Sequence, residues 1–254
     1  MNVSVCHPFS RIFLNSFRKP LARRKKKEYN EQAPQVRHGQ DGSSGTAPNR
    51  TVQMGSADMK KETVYTLFSK IPTLETARLT LRGMKVSDAE DMFDYAHRPQ
   101  VTEYLLWMPH ADIAHTKEYL TYIGQRYRTG DFFDWAVVCR ENRRMIGTCG
   151  FSSFDYQSDS AEIGYVLNPD FGGRGLATEA VRRVLDFGFG QLSLHRIEAR
   201  FIQGNDSSRR LMERVGMTFE GWARESMKVK GAYRTIGTCA ILRDEYEAQV
   251  KEPE

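Results

Sequence analysis

The run Asp170-Phe171-Gly172-Gly173-Arg174-Gly175-Leu176-Ala177-Thr178-Glu179-Ala180 carries the most chemistry in the chain. Gly172, Gly173 and Gly175 stand where a strand pattern gives way to a helix pattern. Lacking Cβ atoms, they let backbone N–H groups approach an anion, and the positive end of a helix starting near Leu176 points to the same place. A diphosphate suits such a junction. One helix end contributes only about 0.3–1 kcal/mol, so several N–H contacts must act together, with Arg174 as an added cation. A tight glycine turn that binds nothing has the same spelling. Two other phosphate loops are excluded. No Gly-Lys-Ser/Thr closes the segment, and a dinucleotide fingerprint opening at Gly173 needs Gly or Ala where Thr178 stands.

The loop must be positioned by a strand before it and a helix after it, and the surrounding periodicity supplies both. Residues 132–139, 145–154 and 161–167 read as strands of an antiparallel meander, ended by Asn168-Pro169. After the loop come a helix over about 176–192, a strand over 195–202, a short helix over 207–215, and strands near 217–227 and 235–242. Ahead of the meander, residues 78–82 alternate as a strand. Ser87-Asp88-Ala89-Glu90 opens a helix carrying Met92, Phe93 and Ala96, and a second helix over about 112–128 has Tyr119, Leu120 and Ile123 on one stripe. The order predicts an α+β fold: a mixed, mostly antiparallel central sheet flanked by helices, with the glycine loop at its centre.

The 254 residues include 37 Lys+Arg and 32 Asp+Glu, a formal charge of +5. Residues 1–50 hold 10 of the bases and 3 of the acids, which leaves 27 against 29 for the rest. A slightly acidic body does not attract a polyanion, so nucleic-acid binding by the folded domain is disfavoured. Residues 1–27 contain no acid and end in Arg23-Arg24-Lys25-Lys26-Lys27, and residues 28–60 run through Gln, Gly, Ser, Pro and Asn. We expect a disordered basic leader over 1–62 and one domain over 63–254. A transit peptide, a basic targeting patch and an upstream start site fit that leader equally; Ile12-Phe13-Leu14 is too short for a secretory signal. Cys6, Cys139, Cys149 and Cys239 form neither a zinc spacing nor a disulfide framework, so no metal is expected and a reducing, cytoplasmic setting is. No apolar run reaches the roughly 18–20 residues of a membrane span.

Four pieces in order resemble a known family. Ala161-Glu162-Ile163-Gly164-Tyr165-Val166-Leu167-Asn168-Pro169, then Gly172–Ala177, then Asn205-Asp206-Ser207-Ser208, then Gly216-Met217, are similar to the acetyl-CoA-dependent N-acetyltransferases of the GNAT superfamily. Within it they look most like the Rim-type (RimJ/RimL-like) ribosomal-protein N-terminal acetyltransferases. The resemblance covers about Thr73 to Tyr246. It implies a GNAT fold with acetyl-CoA as cosubstrate. By the same likeness the pantetheine arm pairs with the backbone of Tyr165, Val166 and Leu167. The diphosphate rests on Gly172, Gly173, Arg174, Gly175, Leu176, Ala177 and Thr178, although Gly172 stands where the family has Gln or Arg. Asn205 lies beside the pantetheine in relatives; it also reads as a cap of the following helix, with Asp206 or Ser207 as the other caps, and the two roles can coexist.

The implied reaction needs a neutral amine, stabilisation of an oxyanion and a proton for the departing thiolate. At pH 7 a lysine amine costs roughly 4.6 kcal/mol to deprotonate and an N-terminal α-amine only about 1.1 kcal/mol. A carboxylate acting through water meets the smaller demand. Glu162 is the first choice, with Glu198 and Glu225 as alternatives, and each also reads as a solvated strand residue. Many relatives supply the acid from a tyrosine at the place of Met212; Ser208 is the available hydroxyl here, or else a helix cap. Glu103 and Trp107, between the first two helices, and Tyr233, in a late hairpin, would border the acceptor, Trp107 serving equally as core. The expected acceptor is the N-terminal α-amine of a ribosomal protein. A polyamine, amino acid or aminoglycoside is the alternative within the enzyme class, and an acyl-CoA sensor without turnover is the alternative outside it. Monomer and homodimer remain open.

Overall fold

The computed structural model describes residues 60–251; the expected basic leader lies outside them but for its last three residues. Three elements precede the sheet's long strands: helix α1 (Lys61–Ser69), the short strand β1 (Leu74–Glu75) and strand β2 (Leu79–Arg82). Helices α2 (Ala89–Ala96), α3 (Pro99–Thr102) and α4 (Ile113–Thr129) follow. Strands β3 (Phe133–Cys139), β4 (Met145–Asp155) and β5 (Ser160–Leu167) lead to the glycine loop and helix α5 (Leu176–Gly190). Strand β6 (Arg196–Ile202), helix α6 (Asp206–Arg214), strands β7 (Thr218–Val229) and β8 (Ala232–Leu242) and helix α7 (Arg243–Lys251) complete the described chain. The strands form one sheet in the order β1-β2-β3-β4-β5-β6-β8-β7. Every neighbouring pair is antiparallel except β5 with β6. The expected mixed, mostly antiparallel sheet between helices is therefore what forms.

Period-two alternation in the strands sends side chains to two cores. Trp135, Val137, Ile163, Tyr165, Ile197, Ala199 and Phe201 pack with α1 and α5, whereas Ala136, Val138 and Val166 pack with α2 and α4. Helix α5 presents Leu176, Ala180, Val181, Val184 and Leu185 to the first core. Helix α4 starts at Asp112, whose carboxylate accepts from the His115 N–H at 2.7 Å, and stops at Gly130 in a left-handed conformation. A Cβ at Gly130 would lie 1.9 Å from the Tyr65 carbonyl oxygen, so the turn both needs glycine and seats α1.

Several elements depart from the sequence reading. Helix α1 begins at Lys61, ahead of the expected domain start, with Val64 and Phe68 buried. The start of α2 is a 3-10 turn over Val86–Asp88, because Asp88 is drawn to the Arg82 guanidinium at 2.7 and 2.8 Å rather than capping the helix. Helices α3 and α7 are additional, and α5 ends at Gly190, two residues early.

Between α3 and α4, His110 is buried, with Nδ1 2.8 Å from the Thr116 hydroxyl. Burial, aided by the neighbouring His115, pushes its pKa down to about 4. The folded state thus resists protonation between that value and the unfolded pKa near 6.5, and stability falls as pH drops through this window. Unfolding free energy is expected to decrease by about 2 kcal/mol between pH 7 and pH 5 from this group alone. Urea unfolding of wild type and His110→Gln at both pH values checks it; the variant should lose less on acidification.

Candidate active site

Strands β5 and β6 run parallel and pair only at Ser160↔Arg196, Ala161↔Ile197 and Glu162↔Glu198. Beyond that β5 continues to Leu167 and β6 to Ile202, so the two separate toward their C-terminal ends. Tyr165, Val166 and Leu167 lie on this departing stretch, held from the other side by β4 through Cys149↔Tyr165 and Gly147↔Leu167. A wedge-shaped opening in mid-sheet results, with the start of α5 on one side and the start of α6 on the other.

The glycine loop reaches α5 through two left-handed residues, Gly173 at φ 73° and Gly175 at φ 74°. Gly172 is extended and donates its N–H to the Pro169 carbonyl at 2.8 Å. The first intrahelical bond runs from the Glu179 N–H to the Gly175 carbonyl, leaving the N–H groups of Leu176, Ala177 and Thr178 as helix-start donors. Arg78 fixes the loop by donating to the Arg174 carbonyl at 2.8 Å and to Glu179 at 2.6 Å. The entry to the loop is tied to α2, since Asn168 donates to Asp94 at 3.0 Å and Arg98 spans Asp94 and Asp170. Burial is the larger single influence at Asp94 and opposes the shift, yet Arg98, joined by Asn168 and Arg144, holds its carboxyl below the usual range; at Asp170 the Arg98 guanidinium does the same. Arg174 points outward to Glu141 at 3.3 Å.

An open cleft of about 830 Å³ lies along the loop and α5, bordered by Arg78, Gly173, Gly175, Thr178, Arg182 and Arg214. A smaller hollow of about 120 Å³ between the starts of α5 and α6 shares Gly175, Thr178 and Arg214 with it and adds Ser207 and Arg210. Left-handed glycines, converging amides and several arginines suit a phosphorylated coenzyme. The arginines at 78, 182, 210 and 214 escaped the sequence reading; Arg182 was in reach of it, four residues after Thr178 on the same helix face. With Val at 175, a β-branched residue would be forced to positive φ, displacing two amides. The KM for acetyl-CoA should then rise about tenfold in Gly175→Val, with kcat less affected, by steady-state kinetics.

Asn205 caps α6, its side-chain Oδ1 accepting from the Ser208 N–H at 3.3 Å and the Ser207 hydroxyl at 3.1 Å. Ser208 is 1% exposed, and its hydroxyl lies 2.8 Å from that of Tyr165. The pair spans the wedge from β5 to α6. Burial pushes the Tyr165 phenol far above its ordinary value, so it stays protonated. Nothing in the sequence separation of these residues announces the contact, and the reading of Tyr165 by its backbone alone missed it.

The three candidate carboxylates part company here. Glu162 is 4% exposed and meets the Arg200 guanidinium at 2.5 Å. Glu198 is across the ladder from it, half-buried, and accepts from Arg196 at 3.0 Å, an arginine shared with Glu220. Glu225 stands exposed at φ 49° in the bulge of β7 between Ala223 and Met227, apart from the other two. At the acceptor end, Trp107 is buried beside Val101, Leu105 and His110, whereas Glu103 and Tyr233 are exposed. Among the described residues no cluster of three His, Cys, Asp or Glu side chains could hold a metal, and no helix is long and apolar enough to cross a membrane.

A parallel pair that splays in a mixed sheet, with a glycine loop at the helix following the first strand, is an architecture shared with a known family. The family profile of the acetyltransferase (GNAT) domain matches residues 78–218, more than half of the chain, and the chain belongs to that family. An uncharacterised N-acetyltransferase, p20 of Bacillus licheniformis, is 35% identical over 174 residues, covering 68% of this chain and 98% of that protein. A candidate ribosomal N-acetyltransferase, YdaF of Bacillus subtilis, is 31% identical over 41% of this chain and 57% of its own length. A spermidine N(1)-acetyltransferase of Vibrio cholerae is 25% identical over 67% of this chain and 96% of that one. Among solved structures, a GNAT-family acetyltransferase from Bacillus anthracis superposes with TM-score 0.61 at 25% identity, covering 68% of this chain and 99% of the other. The protein is thus an N-acetyltransferase that uses acetyl-CoA.

Proposed function

We propose that the acceptor is the N-terminal α-amine of a protein, a ribosomal protein foremost. The observation that carries this reading is Glu162, one buried carboxylate held by Arg200 beside the wedge. A carboxylate acting through water suffices for an α-amine, whose deprotonation at pH 7 costs about 1.1 kcal/mol, but not readily for a lysine amine at roughly 4.6 kcal/mol. In this scheme Tyr165, Val166 and Leu167 hold the pantetheine and polarise the thioester carbonyl. Glu162 takes the amine proton through a water, the nitrogen attacks the carbonyl carbon, the C–S bond breaks, and the thiolate leaves with a proton from Ser208, which solvent then restores; Tyr165 hydrogen-bonds that hydroxyl. The loop amides from Gly173 to Thr178 hold the diphosphate, and Asn205 sets the start of α6 against the arm.

Ser208→Ala is expected to reduce kcat about tenfold rather than abolish it, because a coenzyme thiol with pKa near 8.5 leaves tolerably without help. Tyr165→Phe should give a smaller loss; comparing both rates with wild type checks the pair. The acceptor itself is tested by following free thiol from acetyl-CoA with a panel of N-terminal peptides, spermidine and free amino acids. Release with peptides above the no-acceptor rate supports the reading, and release with spermidine alone replaces it by the polyamine alternative that the Vibrio relative's name suggests. Coenzyme binding without release against any amine leaves the sensor.

A further inference from the structure

The two flanks of α5 differ in how their arginines are balanced. Toward β1 and β2, Arg78 is met by Glu179, Arg183 donates to the Glu75 carbonyl at 3.3 Å, and Asp186 feels both Arg182 and Arg183, so acids and bases line that side of the cleft together. The hollow on the α6 flank has no carboxylate in its lining, and its charged residues are Arg210 and Arg214. These two stand four residues apart on one face of α6, both exposed. Their neighbour Arg209 is paired with Glu213 at 2.8 Å, but neither Arg210 nor Arg214 has a carboxylate partner among the described residues. Arg214 instead reaches the Thr178 hydroxyl at 3.4 Å. Arg182 donates to the Arg214 carbonyl at 3.2 Å, which ties the end of α6 to the second turn of α5.

We propose that Arg210 and Arg214 read the 3′-phosphate of acetyl-CoA and so separate the coenzyme from its dephospho form, an inference that rests on the loop amides holding the diphosphate. Those amides already converge on the diphosphate, and the monoester on the ribose is the group left to satisfy. With a second pKa near 6 it carries a charge of about −1.5 to −2 at pH 7, which calls for cations rather than amides alone. Two guanidiniums without counter-charges, each a planar fork of donors, match that demand. The sign of the surroundings selects the flank, since toward β1 and β2 the same dianion would meet Glu75, Glu179 and Asp186. Arg182 acts as a strut that keeps the end of α6 in place, and the Thr178 hydroxyl links the diphosphate end of the site to the monoester end.

Calorimetric Kd values of CoA and dephospho-CoA for the full chain provide the test. Wild type should bind CoA about three- to thirtyfold more tightly, the effect of two exposed charged contacts. Added salt should compress that ratio, since the charges lie in water. Arg210→Gln/Arg214→Gln should bring the two Kd values to within about twofold of each other, mostly by weakening CoA. Arg183→Gln, which removes the same kind of charge from the β1–β2 flank, should keep the wild-type ratio. Arg210→Gln alone, on a side chain without a hydrogen bond among the described residues, should give an intermediate ratio and keeps the comparison should the double variant not fold. Equal Kd values in wild type, a double variant in which both coenzymes weaken alike, or an equal fall of the ratio in Arg183→Gln would overturn the assignment while leaving coenzyme binding standing. Failure of wild type to bind either coenzyme would overturn the loop reading and this inference with it.

Discussion

Glu162→Gln is expected to lower kcat/KM for peptide acceptors by about 10²–10³-fold while leaving the KM for acetyl-CoA nearly unchanged. The amide keeps the volume of the side chain but cannot take the amine's proton. Its effect has a second component, because the carboxylate is bound by Arg200 at 2.5 Å and is itself buried. Removing that charge leaves a guanidinium without its partner. Arg200 keeps a third of its side chain in water, so the stability loss should be only about 1–2 kcal/mol, below the cost of breaking a fully buried pair. The two roles separate by experiment. A base adds its own acidic limb to the one that protonation of the acceptor amine imposes on kcat/KM, so the variant should keep only the amine's limb; a purely structural partner would lower the melting temperature and leave the profile's shape as in wild type. Full activity in Glu162→Gln would move the assignment to Glu198, which is already engaged by Arg196, or to water alone.

The second large effect concerns stability. Phe68→Ala should destabilise the protein by about 3–5 kcal/mol, as expected for a fully buried aromatic, and lower the melting temperature by roughly 10 °C. Phe68 is edge-on to Trp135 at 5.2 Å and Phe133 at 5.0 Å, and also meets Phe187 at 6.0 Å, joining α1 to the sheet and to α5. Thermal unfolding by circular dichroism checks it. A change below about 1 kcal/mol would mean that the segment ahead of β1 contributes little to the core.

The same helix illustrates what sequence alone conveys. The glycine loop was legible because left-handed turns, a helix start and a strand end are local events, spelled within ten residues. The meander and α5 were legible because their apolar periodicity runs through whole elements. Helix α1 offers only Val64 and Phe68 as buried anchors in nine residues, and α7 buries none, too little periodicity to stand out. The Tyr165–Ser208 contact and the clasp of Lys230 on Thr102 join residues 43 and 128 positions apart. Such pairings arise from sheet order and from the β7–β8 hairpin meeting the end of α3, which no short window encodes. Trp107 shows the converse: its residue type invited a ligand role, and the packing of α2 and α4 absorbed it.

The ties from Arg78, Arg98 and Asn168 bear on how the coenzyme arrives. Arg78 holds the backbone carbonyl of Arg174, while Asn168 and Arg98 tie the side chains at the loop's entry to α2, so on the proposed reading the amides are aimed before any diphosphate is present. Docking then spends little on freezing the receptor. Most of the ordering that accompanies capture falls on the guest's own long and flexible arm, and the protein behaves as a rigid template on which that arm straightens.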